Sequence, residues 1–414
     1  MTPTFPRRAV WLLACLAGAL AGCATEEHFP VRGARDAPVP LPLPTPMPAP
    51  LPPPLPAPLP LPLPVPSPIP AAPGTPAESR ALIARLLPPQ TPDRAGWATD
   101  IYAAFAALRI APSIDNACAV MAVTEQESTF RADPSVPGLA AITWREIDRR
   151  AESAGVPSLA VRAALLLPSP NGRTYSARID AARTEKELSD IFEDVIGMVP
   201  LGKSLFGGYN PVRTGGPMQV SVTFAEQQVA VRPYPYPVAG NLRHEVFTRR
   251  GGLYFGIAHL LDYPAHYDRP IYRFADFNAG RWASRNAAFQ NAVSTASGIP
   301  LALDGDLVSG DDARRVGATE AATRTLASRL DLSEAAVRRA LEHGTADDFD
   351  RSTLYQRVFA LAERLQGGPL PRAVLPRIVL QSPKFTRSLT TEWFATRVDE
   401  RYRRCLARGG AFSG

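Results

Sequence analysis

Residues 117–130, reading ACAVMAVTEQESTF, set two carboxylates, Glu125 and Glu127, within an otherwise apolar stretch. At the roughly 100° per residue of an α-helix, Glu127 falls on the stripe of Ala117, Val120, Val123 and Thr124, where a helix in water normally carries apolar groups. Glu125 projects about 200° away from it, so the two acids cannot act as a pair in one cleft. Taking an ionised carboxylate out of water is costly unless it is paired, so burial favours the protonated form. A general acid needs that form. A Glu turned outward at a helix end, or one paired with an arginine such as Arg145, is the alternative, and this stretch alone leaves both open.

Two later stretches carry polar groups in turn-like settings. Residues 210–217 (NPVRTGGP) lead into Met218-Gln219-Val220, and residues 276–280 read DFNAG. Taken in order, Gln126-Glu127-Ser128, Gly216-Pro217-Met218-Gln219 and Phe277-Asn278-Ala279-Gly280 resemble the three motifs of the soluble lytic transglycosylase and goose-type lysozyme group. Those motifs are a Glu-Ser pair, Gly-Leu-Met-Gln and Tyr-Asn-Ala-Gly, and the resemblance spans residues 111–288. It implies an all-α, lysozyme-like domain that cleaves the MurNAc-GlcNAc bond of peptidoglycan strands. The leaving glycosidic oxygen needs a proton as an oxocarbenium-like centre develops. In that group one Glu supplies it and then takes the proton of the muramic acid 6-hydroxyl, so an anhydro-sugar forms without water.

The resemblance implies Glu127 as catalytic acid and later base, with Ser128 orienting it or the sugar. Gln219 and the Met218 backbone would contact the N-acetyl sugars, Asn278 would fix the site wall, and Met218 with Phe277 would shield the acid from water. Each has a plainer reading: Met218 and Phe277 as core, Gln219 as an exposed amide, Asn278-Ala279-Gly280 as a helix stop, and Ser128 bonded to its own helix. Three positions depart from the pattern. Pro217 replaces Leu and removes a backbone N–H; Phe277 replaces Tyr and lacks its hydroxyl. The 90 positions between Glu127 and Pro217 imply a helical insertion near 144–206, either a wall for further subsites or a cover over the groove.

The elements that would position these residues read as helices. Residues 77–87 form a first candidate, and Thr91 with Pro92 suits the start of a second, carrying the stripe Trp97, Ile101, Phe105 and Leu108. Further candidates are 144–154, 158–167, 185–199, 311–330, 333–343, 353–366 and 390–406, and Arg250-Gly251-Gly252 precedes an apolar segment over 253–261. The region 77–300 thus reads as the lysozyme-like domain and 301–414 as a C-terminal helical extension. The whole chain after the export signal, including the C-terminal stretch with Ser382-Pro383-Lys384 and Leu389-Thr390-Thr391-Glu392-Trp393-Phe394-Ala395, also resembles the YaiW-like group of proteobacterial lipoproteins of unknown function.

The N-terminus reads as an export signal: Arg7 and Arg8, then the apolar run 10–21, too short to span a membrane. Leu20-Ala21-Gly22-Cys23 resembles a bacterial lipobox, implying removal of residues 1–22 and lipidation of Cys23. Ala24 after it implies the outer membrane, facing the periplasm. After residues 23–37, proline alternates with Leu, Val, Ala and Ile through 38–76. Such a segment favours a polyproline II rod reaching on the order of 100 Å. It would hold the domain away from its anchor, toward the cell wall.

Of the four cysteines, Cys15 leaves with the signal and Cys23 carries lipid, so Cys118 and Cys405 remain. An oxidising compartment allows a disulfide between them, or they stand as two separate thiols. The net charge of +6 comes almost wholly from arginine, with lysine only at 186, 203 and 384. No dense basic run with interleaved aromatics suggests nucleic acid, whereas a modestly basic face suits an anionic polymer. His244-Glu245 lacks the second His of a zinc protease helix, and His259 with His266 lacks ligand spacing, so neither metal nor cofactor is expected. Two functions remain: a single-Glu lytic transglycosylase, or a non-catalytic lipoprotein using such a groove to bind glycan, peptide or an envelope partner, the C-terminal helices being a second candidate surface for such a partner.

Overall fold

The computed structural model describes residues 74–202, 204, 207–238, 240–309, 315–380 and 388–410. The expected signal peptide, Cys23 and nearly all of the proline-rich segment lie outside them. The described chain is all-α apart from four two-residue strands.

Helix α1 (Pro76–Leu86) opens with a capping box, Thr75 and Glu78 each satisfying the other's backbone N–H. Helix α2 (Arg94–Leu108) is capped by Asp93, not by Thr91 as local sequence suggests. The reason is tertiary. Asp93 sits at φ 48° with one carboxylate oxygen 3.1 Å from the Gly96 N–H and the other 2.7 Å from Arg249, more than a hundred residues away. Helix α3 (Ile114–Ser128) is capped by Ser113 and buried without a break from Ala117 through Thr124. It stops at Thr129 and Phe130, both left-handed, and Phe130 then packs edge-on against Trp97 at 5.4 Å.

Four helices fill the region expected as an insertion: α4 (Leu139–Ser153), α5 (Ser158–Ala164), α6 (Tyr175–Ala181) and α7 (Glu185–Gly197). They enclose a small core of their own around Ala151, Val161, Tyr175, Ile179 and Val195. The chain then makes a hairpin, β1 (Thr214–Gly215) against β2 (Val220–Ser221), followed by α8 (Val222–Val231), α9 (Leu242–Val246), α10 (Arg249–Leu261) and α11 (Ile271–Ala279). Gly280, at φ 105°, separates α11 from α12 (Ala283–Ser297). Helices α13 (Ala318–Thr325), α14 (Glu334–Glu342) and α15 (Thr353–Gln366) pack on α12 around Phe289, Val293, Val337 and Phe359.

A second short pair, β3 (Val379–Leu380) with β4 (Leu389–Thr390), delivers α16 (Thr391–Gly410) back to the first core. There Phe394, Val398 and Tyr402 join α3 and α10 in one apolar cluster. Each such side chain taken from water is worth about 1.5–3 kcal/mol. A disulfide joins Cys118 of α3 to Cys405 of α16, with 5.4 Å between their Cα atoms.

Candidate functional site

Glu127 is the penultimate residue of α3 and is half-buried, above Ala117, Val120, Val123 and Thr124, which are all inaccessible. Glu125 faces another way, toward α16, where Arg404 and Arg401 lie 3.4 and 3.7 Å from its carboxylate. Cys118 is two helical turns before Glu125 on that same side. One face of α3 is therefore spent on α16, and Glu127 is on a different one. Ser128 is buried and its hydroxyl donates to the Thr124 carbonyl at 3.0 Å, within its own helix. The buried Oε1 of Gln126 has no hydrogen-bond partner among the described residues.

The Gly216-Pro217-Met218-Gln219 stretch is the loop of the β1–β2 hairpin, set by pairing of Gly215 with Val220. It closes on itself: both the backbone N–H and the side-chain amide of Gln219 donate to the Gly216 carbonyl, at 3.1 and 3.2 Å. Gly216, at φ 73°, takes the left-handed geometry the turn requires. The Met218 side chain is wholly buried against α10. A Cβ on Gly256 would stand 2.6 Å from Met218 Cβ, and one on Gly252 would stand 2.4 Å from Pro217 Cδ. Glycine in mid-helix is unfavourable, and here it admits the hairpin. Gly252 and Gly256 inside an apolar helical run are the sequence signal of that close approach.

At the end of α11, Phe277 and Asn278 are half-buried. The Asn278 Oδ1 accepts from the Thr391 hydroxyl at 2.9 Å, tying this segment to the start of α16. The Phe277 carbonyl lies 3.2 Å from His259 Nε2, and the imidazole stands between the Phe224 and Phe277 rings at 4.7 and 5.1 Å. Burial, with the Arg281 guanidinium nearby, pulls His259 down to about 4, so the ring is neutral at physiological pH. Asp276, not singled out from sequence, is the organiser of this corner. Its inaccessible carboxylate accepts from the Tyr263 and Tyr267 hydroxyls at 3.0 and 2.6 Å and from the N–H groups of Trp282 and Ser284 at 2.9 and 2.7 Å. Burial raises its pKa against the opposing pull of these hydrogen bonds.

One core joins the three stretches: Val123 of α3, Met218 and Val220 of the hairpin, and Phe274 and Ala275 of α11 belong to it, with Phe224 and Phe277 packed against its edge. Ser128 and Met218 are turned inward. Glu127, Gln219, Phe277 and Asn278 each keep an accessible edge. Among the described residues no cluster of His, Cys, Asp and Glu forms a metal-ligand group, and no helix is long and apolar enough to cross a membrane.

Residues 90–408 match the family described as "Protein of unknown function (DUF1615)". The chain belongs to that family. A DUF1615-type relative, the "Uncharacterized protein YaiW" of Escherichia coli (strain K12), is 56% identical over 326 residues, covering 79% of this chain and 89% of that protein. No solved structure matches the chain. Membership in DUF1615 agrees with the YaiW-like resemblance carried by the mature sequence and brings with it no activity.

Proposed function

We propose that this DUF1615 protein is a lytic transglycosylase with a lysozyme-like core, acting on the glycan strands of peptidoglycan with Glu127 as its sole acid and base. The observation that carries the reading is the meeting of three motif-bearing stretches on one core, with an accessible, half-buried Glu127 at the end of the central helix. Glu127 gives its proton to the leaving glycosidic oxygen as the bond to the muramic C1 breaks. The muramic 6-hydroxyl then bonds to C1 and returns its proton to the Glu127 carboxylate, so no water is consumed. The lipobox at Cys23 would anchor the chain in the outer membrane, and the proline-rich segment would let it reach the cell wall.

A second reading draws on a different observation. Ser128 and Asn278 already bond to Thr124 and Thr391, which suits a groove kept for binding glycan, peptide or an envelope partner rather than for turnover. Incubation of the protein with purified sacculi separates the two. The enzyme releases anhydro-muropeptides, detected by mass spectrometry, and Glu127→Gln releases none; a pull-down on sacculi with no products from either form supports the binding lipoprotein.

A further inference from the structure

A cleft of about 250 Å³ opens where the insertion meets the hairpin. Its walls come from α7 (Glu193), the residue preceding β1 (Arg213), α8 (Glu226), the Asn241 cap of α9, and α9 itself (Arg243). It lies at the foot of the hairpin whose loop carries Gln219, since the Arg213 carbonyl accepts from the Val222 N–H at 2.9 Å.

The charges in the cleft have a definite layout. On its floor, Glu193 and Arg243 are only 13% and 14% exposed and 3.8 Å apart. Both are held in place. The Asn241 amide donates to both Glu193 oxygens at 3.3 Å, His244 Nε2 lies 3.2 Å from the same carboxylate, and Arg243 donates to the Val212 carbonyl. At the rim, Arg213 and Glu226 are exposed, and both lie close enough to Arg243 to act on its charge, Glu226 favouring it and Arg213 opposing it. One held and one exposed group of each sign thus face the same small space.

A neutral sugar hydrogen-bonds such groups without using their opposite charges, and a polyanion meets two carboxylates. A group carrying an ammonium and a carboxylate close together matches both signs at once, by charge-assisted hydrogen bonds. Small-molecule sites usually run from about 300 to 1,000 Å³, so the cleft suits the end of a short peptide rather than a large ligand. We infer that this cleft is a subsite for a short zwitterionic peptide, and that the peptide is the stem of the glycan strand, whose diamino acid holds a free ammonium and a free carboxylate on one carbon. The cleft's chemistry stands by itself; assigning its occupant to the stem rests on the proposed peptidoglycan substrate.

The test uses the full chain and measures binding of the tripeptide L-Ala-γ-D-Glu-meso-diaminopimelate, which has no glycosidic bond to be cut, by calorimetry. Binding is expected, weakened at least roughly tenfold by Arg213→Ala and by Glu226→Gln. The lysine analogue, which lacks the terminal carboxylate, is expected to bind at least roughly tenfold more weakly to the unsubstituted cleft. Both substituted positions are exposed, and circular dichroism confirms that the variants fold. Absent binding, or binding indifferent to both substitutions, overturns the subsite. Free diaminopimelate binding as tightly as the tripeptide overturns the assignment to the stem. A protein that binds the tripeptide but never cleaves sacculi refutes the enzymatic reading and leaves the cleft standing.

Discussion

Single side chains decide which faces are available for chemistry. The 3.6-residue period alone separates Glu127 from Glu125, and the structure uses those two faces differently, the second being committed to α16 together with Cys118. Hydrogen bonding could not be read the same way. Thr391 reaches Asn278 from 113 positions away, and Asp276 gathers two tyrosines and two backbone N–H groups that no local pattern brings together. His259 gives a test at this scale. Its imidazole resists protonation down to about 4 when folded, against an ordinary value of 6.5. Between those values the unfolded chain takes up a proton that the folded one refuses, so stability present above pH 6.5 is lost as pH falls toward 4. Tenfold in proton affinity is worth about 1.4 kcal/mol, and the full window therefore up to about 3 kcal/mol. Denaturant titrations of wild type and His259→Gln should diverge across this window, with the variant the flatter of the two. Parallel profiles would show that the ring is solvated.

At the level of elements, helices with a clear apolar stripe or clear punctuation were legible. Helices α1, α5, α7, α14 and α15 overlap the expected ranges closely, although α5 spans only 7 residues, marked out by Pro157 before it and Pro168 after it. Three others, α6, α8 and α9, span 7, 10 and 5 residues and fall outside the expected ranges, since fewer than three turns carry little periodic signal of their own. The start of α2 was misplaced because its cap is held by Arg249 from another helix. Glycines in α10 fix the seat of the hairpin, and this makes a second prediction. Gly256→Ala puts a methyl group into the space of Met218 and should cost about 1–3 kcal/mol by overpacking. Gly368→Ala, with no atom within 4 Å of the added carbon, should leave the melting temperature nearly unchanged. Equal melting temperatures for the two variants would show that the hairpin yields.

For the molecule as a whole, three apolar cores are threaded by one chain whose last helix closes the first of them. The mixed-charge cleft belongs to this scale: its charged walls at 193, 213, 226 and 243 come from separate elements, and no motif in the sequence marks it. The Cys118–Cys405 bond spans 287 positions. A loop of that size restricts the unfolded chain by about 5 kcal/mol in the chain-entropy account. Reduction, or Cys118→Ser with Cys405→Ser, should lower the melting temperature by on the order of 10 °C. An unchanged melt would mean that packing of Phe394, Val398 and Tyr402 alone holds α16. The position of α16 also sets a timetable for biogenesis. The central helix acquires this neighbour only when residues 391–410 emerge, so an early stop codon just before them leaves a truncated product with its first core unsealed.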